Sequence, residues 1–241
     1  MVQAARKQDE GGLNSMAESL EARILYRDAD VLVLDKPAGL AVHRAPGAGA
    51  NLEALLPSLA FGSKHMPALA HRLDRDTTGC LVLGRHPAAL RQLMALFAQG
   101  GVEKAYWAVV QGTPPAESGV VDRPILKVRR GGAWQMILDP AGQKAVTEWR
   151  VLGRGDDASW LEAKPRTGRT HQIRVHCASL GCPVIGDLAY GARPTVGERL
   201  HLHASRVQFR LGPQAREIDV AAPPPLHMLP RLVACGYESA P

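Results

Sequence analysis

Nine residues, His71-Arg72-Leu73-Asp74-Arg75-Asp76-Thr77-Thr78-Gly79, end directly against the apolar segment Cys80-Leu81-Val82-Leu83. The apolar segment reads as a buried strand and the charged residues as a loop at its entrance, with Gly79 able to turn the backbone from one into the other. Two carboxylates, two guanidiniums, an imidazole and two hydroxyls so close together make a place for chemistry. A solvated, salt-bridged turn accounts equally well for Arg75 and Asp76.

At 241 residues, 46% hydrophobic and 22% charged, the chain is long and apolar enough for a proper core. We expect a polar tail over residues 1–22, with Met16 a candidate true start, and one domain with a peripheral lobe over 23–236. Lys and Arg outnumber Asp and Glu by 29 to 23, a net charge of +6, which favours polyanions such as RNA. Cys80, Cys177, Cys182 and Cys235 are scattered with no paired CxxC spacing, so reduced cytosolic thiols are the simplest reading. No apolar segment approaches the roughly 18 residues of a membrane span, and no signal-peptide core is visible. The expected location is therefore the cytoplasm, away from any membrane.

Ile24–Tyr26 and Val31–Leu34 read as short buried strands around the turn 27–30, the second ending at Lys36-Pro37-Ala38-Gly39. Asn51 is a cap for a short helix over Leu52, Leu55 and Leu56. Gly47-Ala48-Gly49 lacks the Gly-Lys-Ser/Thr of a phosphate loop. Pro87 starts a helix whose core residues are Leu90, Leu93, Met94 and Phe97, and Gly100-Gly101 ends it. Glu103–Val110 is a strand. Residues 114–140 form a basic hairpin with Lys127, Arg129, Arg130 and Trp134, suited either to gripping an RNA backbone and stacking a base or to a solvated loop with its tryptophan tucked against the body. Residues 145–152 and 160–163 form a strand pair. Thr167 or Thr170 caps the next helix, with Ile173, Cys177 and Leu180 buried and Arg174 at the edge of that stripe, where it can serve a carboxylate in a cleft. Strands at 200–209 and 216–220 and a C-terminal helix at 226–233 complete an α+β fold on a mixed, largely antiparallel sheet.

Several ordered segments resemble the signatures of RNA pseudouridine synthases of the RluA type: Lys36-Pro-Ala-Gly39, His71 to Gly79, Lys104-Ala-Tyr106, Gly168-Arg-Thr-His-Gln-Ile-Arg174-Val-His176, Gly181 to Gly191 and Leu202-His203-Ala204. The resemblance spans about residues 24 to 225. It implies a pseudouridine synthase catalytic domain, with Asp74 as the essential aspartate, Tyr106 stacking on the target base and Arg174 paired with the aspartate. Thr78 and Cys80 stand where serine and leucine are common, and neither is a reacting group. Many relatives carry a separate N-terminal RNA-binding domain, and the N-terminal tail here is expected to be too short for one. RNA would then be gripped by Arg72, His71, Arg169, His171, Lys127, Arg129 and Arg130, with Arg72 compensating for the gap left by the unstacked uridine.

The isomerisation breaks the glycosidic C–N bond, rotates the uracil, rejoins it through carbon 5 and releases the proton there. It needs no redox change and no group donor, so no cofactor is expected. A carboxylate can attack the sugar or the base or assist a glycal route, and an adjacent guanidinium keeps it ionised. His171, His176, Cys177, Cys182 and His203 make a poor zinc site, because a spacing of five puts the two helical histidines on different faces. Two other readings are a non-catalytic RNA-binding protein or chaperone of the same fold, and a nucleosidase using Asp74 with Asp187. For Asp187 a turn-capping carboxylate is the simpler role. The expected partner is structured RNA, ribosomal or transfer, and the expected state a monomer.

Overall fold

The computed structural model describes residues 20–43, 51–192, 197–212 and 214–238. The expected tail and the Gly47-Ala48-Gly49 segment fall largely or wholly outside these residues. The chain divides into two compact units, one of residues 1–102 and 207–222, the other of residues 103–206 and 223–241.

In the first unit, β1 (Ile24–Arg27), β2 (Val31–Lys36) and β4 (Thr78–Gly84) form consecutive antiparallel ladders, and the two-residue β3 (Ala68–Leu69) pairs with the end of β4. Leu32, Val33 and Leu34 lie opposite Leu83, Val82 and Leu81, and all six are buried. Both faces of these strands are covered, so their sequences are continuous apolar runs without alternation. The β1–β2 turn is set by Asp28, whose Oδ1 accepts from the amides of Asp30 and Val31 at 2.8 and 2.7 Å.

Helix α1 (Leu52–Leu55) is capped by Asn51, whose Oδ1 accepts from the Ala54 amide, as the sequence suggests. Helix α2 (Pro87–Gln99) begins at His86, whose Nδ1 accepts from the Ala89 amide, and stops at Gly100, where φ is +74° and the Gly101 amide reaches back to the Leu96 carbonyl. Its buried stripe is Ala89 and Leu93, with Phe97 half-buried. Met94, expected in the core, is exposed because it lies about 100° around the helix from Leu93.

The second unit is built on four antiparallel strands in the order β5 (Glu103–Gln111), β10 (Ala158–Pro165), β9 (Val146–Arg154), β6 (Ser118–Asp122). The basic segment is more than a hairpin: β6 joins the sheet beside β9, and only β7 (Ile125–Arg130) and β8 (Ala133–Leu138) form the separate two-stranded ribbon. Helix α3 (Gln172–Ser179), a short 3-10 turn (Leu188–Tyr190) and helix α4 (Leu229–Ala234) complete it. Strand β11 (Leu202–Arg210) passes from the second unit into the first, where β12 (Glu217–Ala221) pairs with it. One core cluster gathers Val109, Ala158, Ile185, Met228, Leu232 and Cys235 against Trp107, Trp160 and Tyr237. A further cluster joins Ile125, Ala145 and Val175 to Met136, Leu138 and Tyr190. The α+β class expected from the sequence is the one observed.

Candidate active site

In the first unit the loop from His71 to Thr77 carries Asp74, half-buried, between β3 and β4. Its backbone is held from beneath by Lys36. This side chain is fully buried, and its Nζ donates to the carbonyls of Pro37, Leu40 and Arg75 at 2.8, 3.0 and 2.8 Å. The Arg75 carbonyl also accepts from the Gly39 amide at 3.0 Å, so the Lys36-Pro-Ala-Gly39 turn and the aspartate loop form one piece. Burial pulls the Lys36 amine down to about 8, against the opposing pull of the carboxylates of Asp76, Asp74 and Asp35.

Within the same loop the Thr77 amide donates to the Asp74 carbonyl, and Gly79 turns the chain into β4 at φ +100°. His71 is half-buried; its Nε2 accepts from the Val82 amide at 3.0 Å and its ring stacks on Phe97 at 4.3 Å. Arg72 is exposed, and Arg75 and Asp76 form an exposed pair at 3.3 Å, the solvated bridge foreseen for them.

In the second unit Tyr106 lies buried on β5, on the same strand face as Lys104, whose amine is lowered by burial. Arg174 projects from the first turn of α3 and forks onto Asp187: Nε donates to Oδ2 at 2.6 Å and Nη2 to Oδ1 at 2.9 Å. The pair is deeply placed, with side-chain exposures of 13% for Arg174 and 1% for Asp187. The planar fork matches both carboxylate oxygens and fixes the guanidinium plane. Asp187 is therefore no turn cap; its side chain makes no capping bond to the 3-10 turn it precedes. Gly186 delivers it at φ +78°, where a Cβ would stand 2.1 Å from the Arg199 carbonyl oxygen.

The Arg174 guanidinium also lies 5.1 Å from the centre of the Tyr190 ring, and the Tyr190 hydroxyl meets His171 Nδ1 at 2.8 Å. His171 occupies the N-cap in a left-handed conformation, φ +54°, uncommon for a residue with a side chain.

Neither threonine caps α3. The buried Gln172 organises its start: Oε1 accepts from the Arg169 amide and the Thr167 hydroxyl, and Nε2 donates to Val146 O and Thr147 Oγ1. Arg169 donates through Nε and Nη1 to Lys144 O and Gln143 Oε1. His176 is spent on Thr147 Oγ1 and the Arg123 carbonyl and is pushed down by burial. Lys127, Arg129 and Arg130 lie exposed at the outer end of the hairpin. His71, Arg72 and Asp74 thus share one loop, and Arg169, His171 and Arg174 one helix start. Lys36, Lys104, Tyr190 and Gln172 were given no site role by the sequence, and Asp187 was read as a turn cap or a nucleosidase carboxylate and not as the partner of Arg174, although each lies in or beside a signature segment.

Residues 30–179 match the family model described as RNA pseudouridylate synthase. An uncharacterized RNA pseudouridine synthase of Zymomonas mobilis is 42% identical over 210 residues, 86% of this chain and 95% of that one. Ribosomal large subunit pseudouridine synthase C of Vibrio cholerae is 38% identical over 227 residues, 90% of this chain and 70% of its own. The solved structure of human RNA pseudouridylate synthase domain containing 4 superposes with a TM-score of 0.80 at 29% identity, covering 95% of this chain and 99% of that one. Fold and sequence together define an isomerase that acts on RNA. The chain belongs to the RNA pseudouridine synthase family, consistent with the RluA type that its motifs resemble. Among the described residues no helix is long and apolar enough to cross a membrane.

Proposed function

We propose that the protein isomerises specific uridines in structured RNA, a stem-loop of large-subunit ribosomal RNA or of tRNA, with Asp74 as the nucleophile. The C1′–N1 bond breaks, the uracil turns, a C1′–C5 bond forms, the proton on C5 leaves to a base and N1 takes up a proton, so the product is an isomer. Asp74 acts on the sugar or the base, or assists a glycal intermediate, and each route uses it as a carboxylate. Tyr106 stacks on the target base, Arg174 is the basic partner of Asp74 in the working enzyme, and Arg72 fills in for the extruded uridine. The protein works as a monomer in the cytoplasm.

The buried fork between Arg174 and Asp187 carries this reading. A deeply placed guanidinium costs several kcal/mol to desolvate, by order of magnitude, and the bidentate pairing with Asp187 offsets that cost and fixes the plane in which Arg174 is presented. Ribosomal RNA is supported by the name of the Vibrio cholerae relative.

Pseudouridine mapping in ribosomal RNA and tRNA from cells with and without the gene tests the proposal. We expect specific positions to lose pseudouridine and to regain it with the wild-type gene but not with Asp74→Asn. Unchanged maps in both RNA classes would contradict it.

A further inference from the structure

Sheet alternation puts Ile125, Lys127 and Arg129 of β7 on one face of the hairpin with Trp134, Met136 and Leu138 of β8. The inner end of that face is apolar and anchored: Ile125 is buried, and Met136 and Leu138 pack with Ala145, Val175 and Tyr190. The outer end is a different surface. Trp134 stands opposite Arg129, is 63% exposed, and has the Lys127 ammonium over its ring at 4.5 Å from the centroid.

The hairpin's position is fixed. Gly131 and Gly132, with φ of +55° and +81°, close the left-handed two-residue turn that suits strand twist. The Met136 amide donates to the Tyr190 hydroxyl at 3.3 Å, and Gln135 Nε2 to the Ala189 carbonyl at 3.4 Å. The indole therefore projects from a ribbon tied to the same 3-10 turn that supports Arg174.

A tryptophan tucked against the body would leave little surface, and this one does the opposite while holding a cation against its ring. We propose that Trp134 is a stacking platform for an unpaired nucleobase of the RNA, with Lys127 and Arg129 taking the flanking phosphates. The inference rests on the RNA reading above and extends it to a second base of the same RNA. The base must be unpaired, because a base within a duplex has no face to offer. Nucleic acid fits this surface, since Lys127 and Arg129 flank the indole on the same face and residues 125–138 hold no carboxylate to oppose a phosphate.

The test is titration of the full chain with oligouridylate and with an abasic ribose-phosphate strand of equal length, reading indole emission and Kd. Trp134→Phe defines the emission of Trp107, Trp149 and Trp160. Oligouridylate should quench wild-type emission and the abasic strand should not. Trp134→Ala should weaken oligouridylate binding about tenfold, and Trp134→Phe, which keeps an aromatic face, by less than about threefold. The salt slope of log K should survive Trp134→Ala and flatten in Lys127→Ala. Wild-type affinity in Trp134→Ala, equal quenching by the abasic strand, or no binding of oligouridylate at low salt would each overturn the proposal. Isomerisation is scored separately by tritium release from uridine labelled at carbon 5, so loss of the enzymatic reading and loss of this subsite give different results.

Discussion

Lys36 is a fully buried amine whose three carbonyl partners belong to irregular backbone, and its protonation couples stability to pH. Its folded value, about 8, lies below the ordinary 10.5, so between these two the unfolded chain holds the proton that the folded protein has released. Stability contributed at this residue therefore rises with pH across that window, by about 3 kcal/mol in all, and the cost of the buried charge is fully present below 8. Urea unfolding below pH 8 and near pH 10.5 should show wild type gaining on Lys36→Met, and parallel curves would count against it. At Asp187, replacement by Ala leaves the Arg174 guanidinium buried without its fork and should cost about 3–5 kcal/mol. Asp187→Asn keeps one acceptor but removes the charge and sets an amide NH2 against a guanidinium N–H, so it should also destabilise, by less than Ala, and lower kcat; an unchanged kcat in a folded Asp187→Asn would deny the pair a positioning role. Arg72→Ala should reduce activity on a structured stem-loop far more than on a short flexible strand, and equal losses would remove Arg72 from the extrusion step.

Among the elements, the apolar runs of β2 and β4, the Asn51 cap and the Pro87-to-Gly100 helix were legible because each is written in adjacent residues. The start of α3 was not. A threonine before a helix ordinarily signals a cap, but here Thr167 donates to Gln172, and that buried amide does the organising through partners on β9 more than twenty residues away. The same limit hid the pairing of Asp187, whose guanidinium partner is 13 residues distant and meets it only because Gly186 takes a left-handed turn against Arg199. Met94 misled because its neighbours Leu93 and Phe97 define a stripe narrower than the apolar composition of the helix suggests. Gly186→Ala should destabilise the second unit by about 1–3 kcal/mol from backbone strain alone, with further cost from the Arg199 contact, and should lower activity by displacing Asp187. Thermal unfolding and kcat measured on the same sample check both.

Across the whole molecule, the excess of six positive charges and the exposed Lys127, Arg129 and Arg130 of the hairpin make affinity for RNA salt-dependent. The family membership was legible in the order of short motifs spread along the chain, each of which alone says little. The motifs contain Lys36, Gln172, Asp187 and Tyr190 but do not show what these side chains do: Lys36 holds the aspartate loop, and the other three surround the start of the arginine helix. In the proposed reaction Asp74 is the group that makes and breaks bonds to uridine. Tritium release from RNA labelled at carbon 5 of uridine, with purified wild type and Asp74→Asn compared on ribosomal RNA and on tRNA, tests it most directly. Release by wild type on at least one RNA and none by a folded Asp74→Asn that still binds is the predicted result; release by both proteins, or by neither, would contradict it.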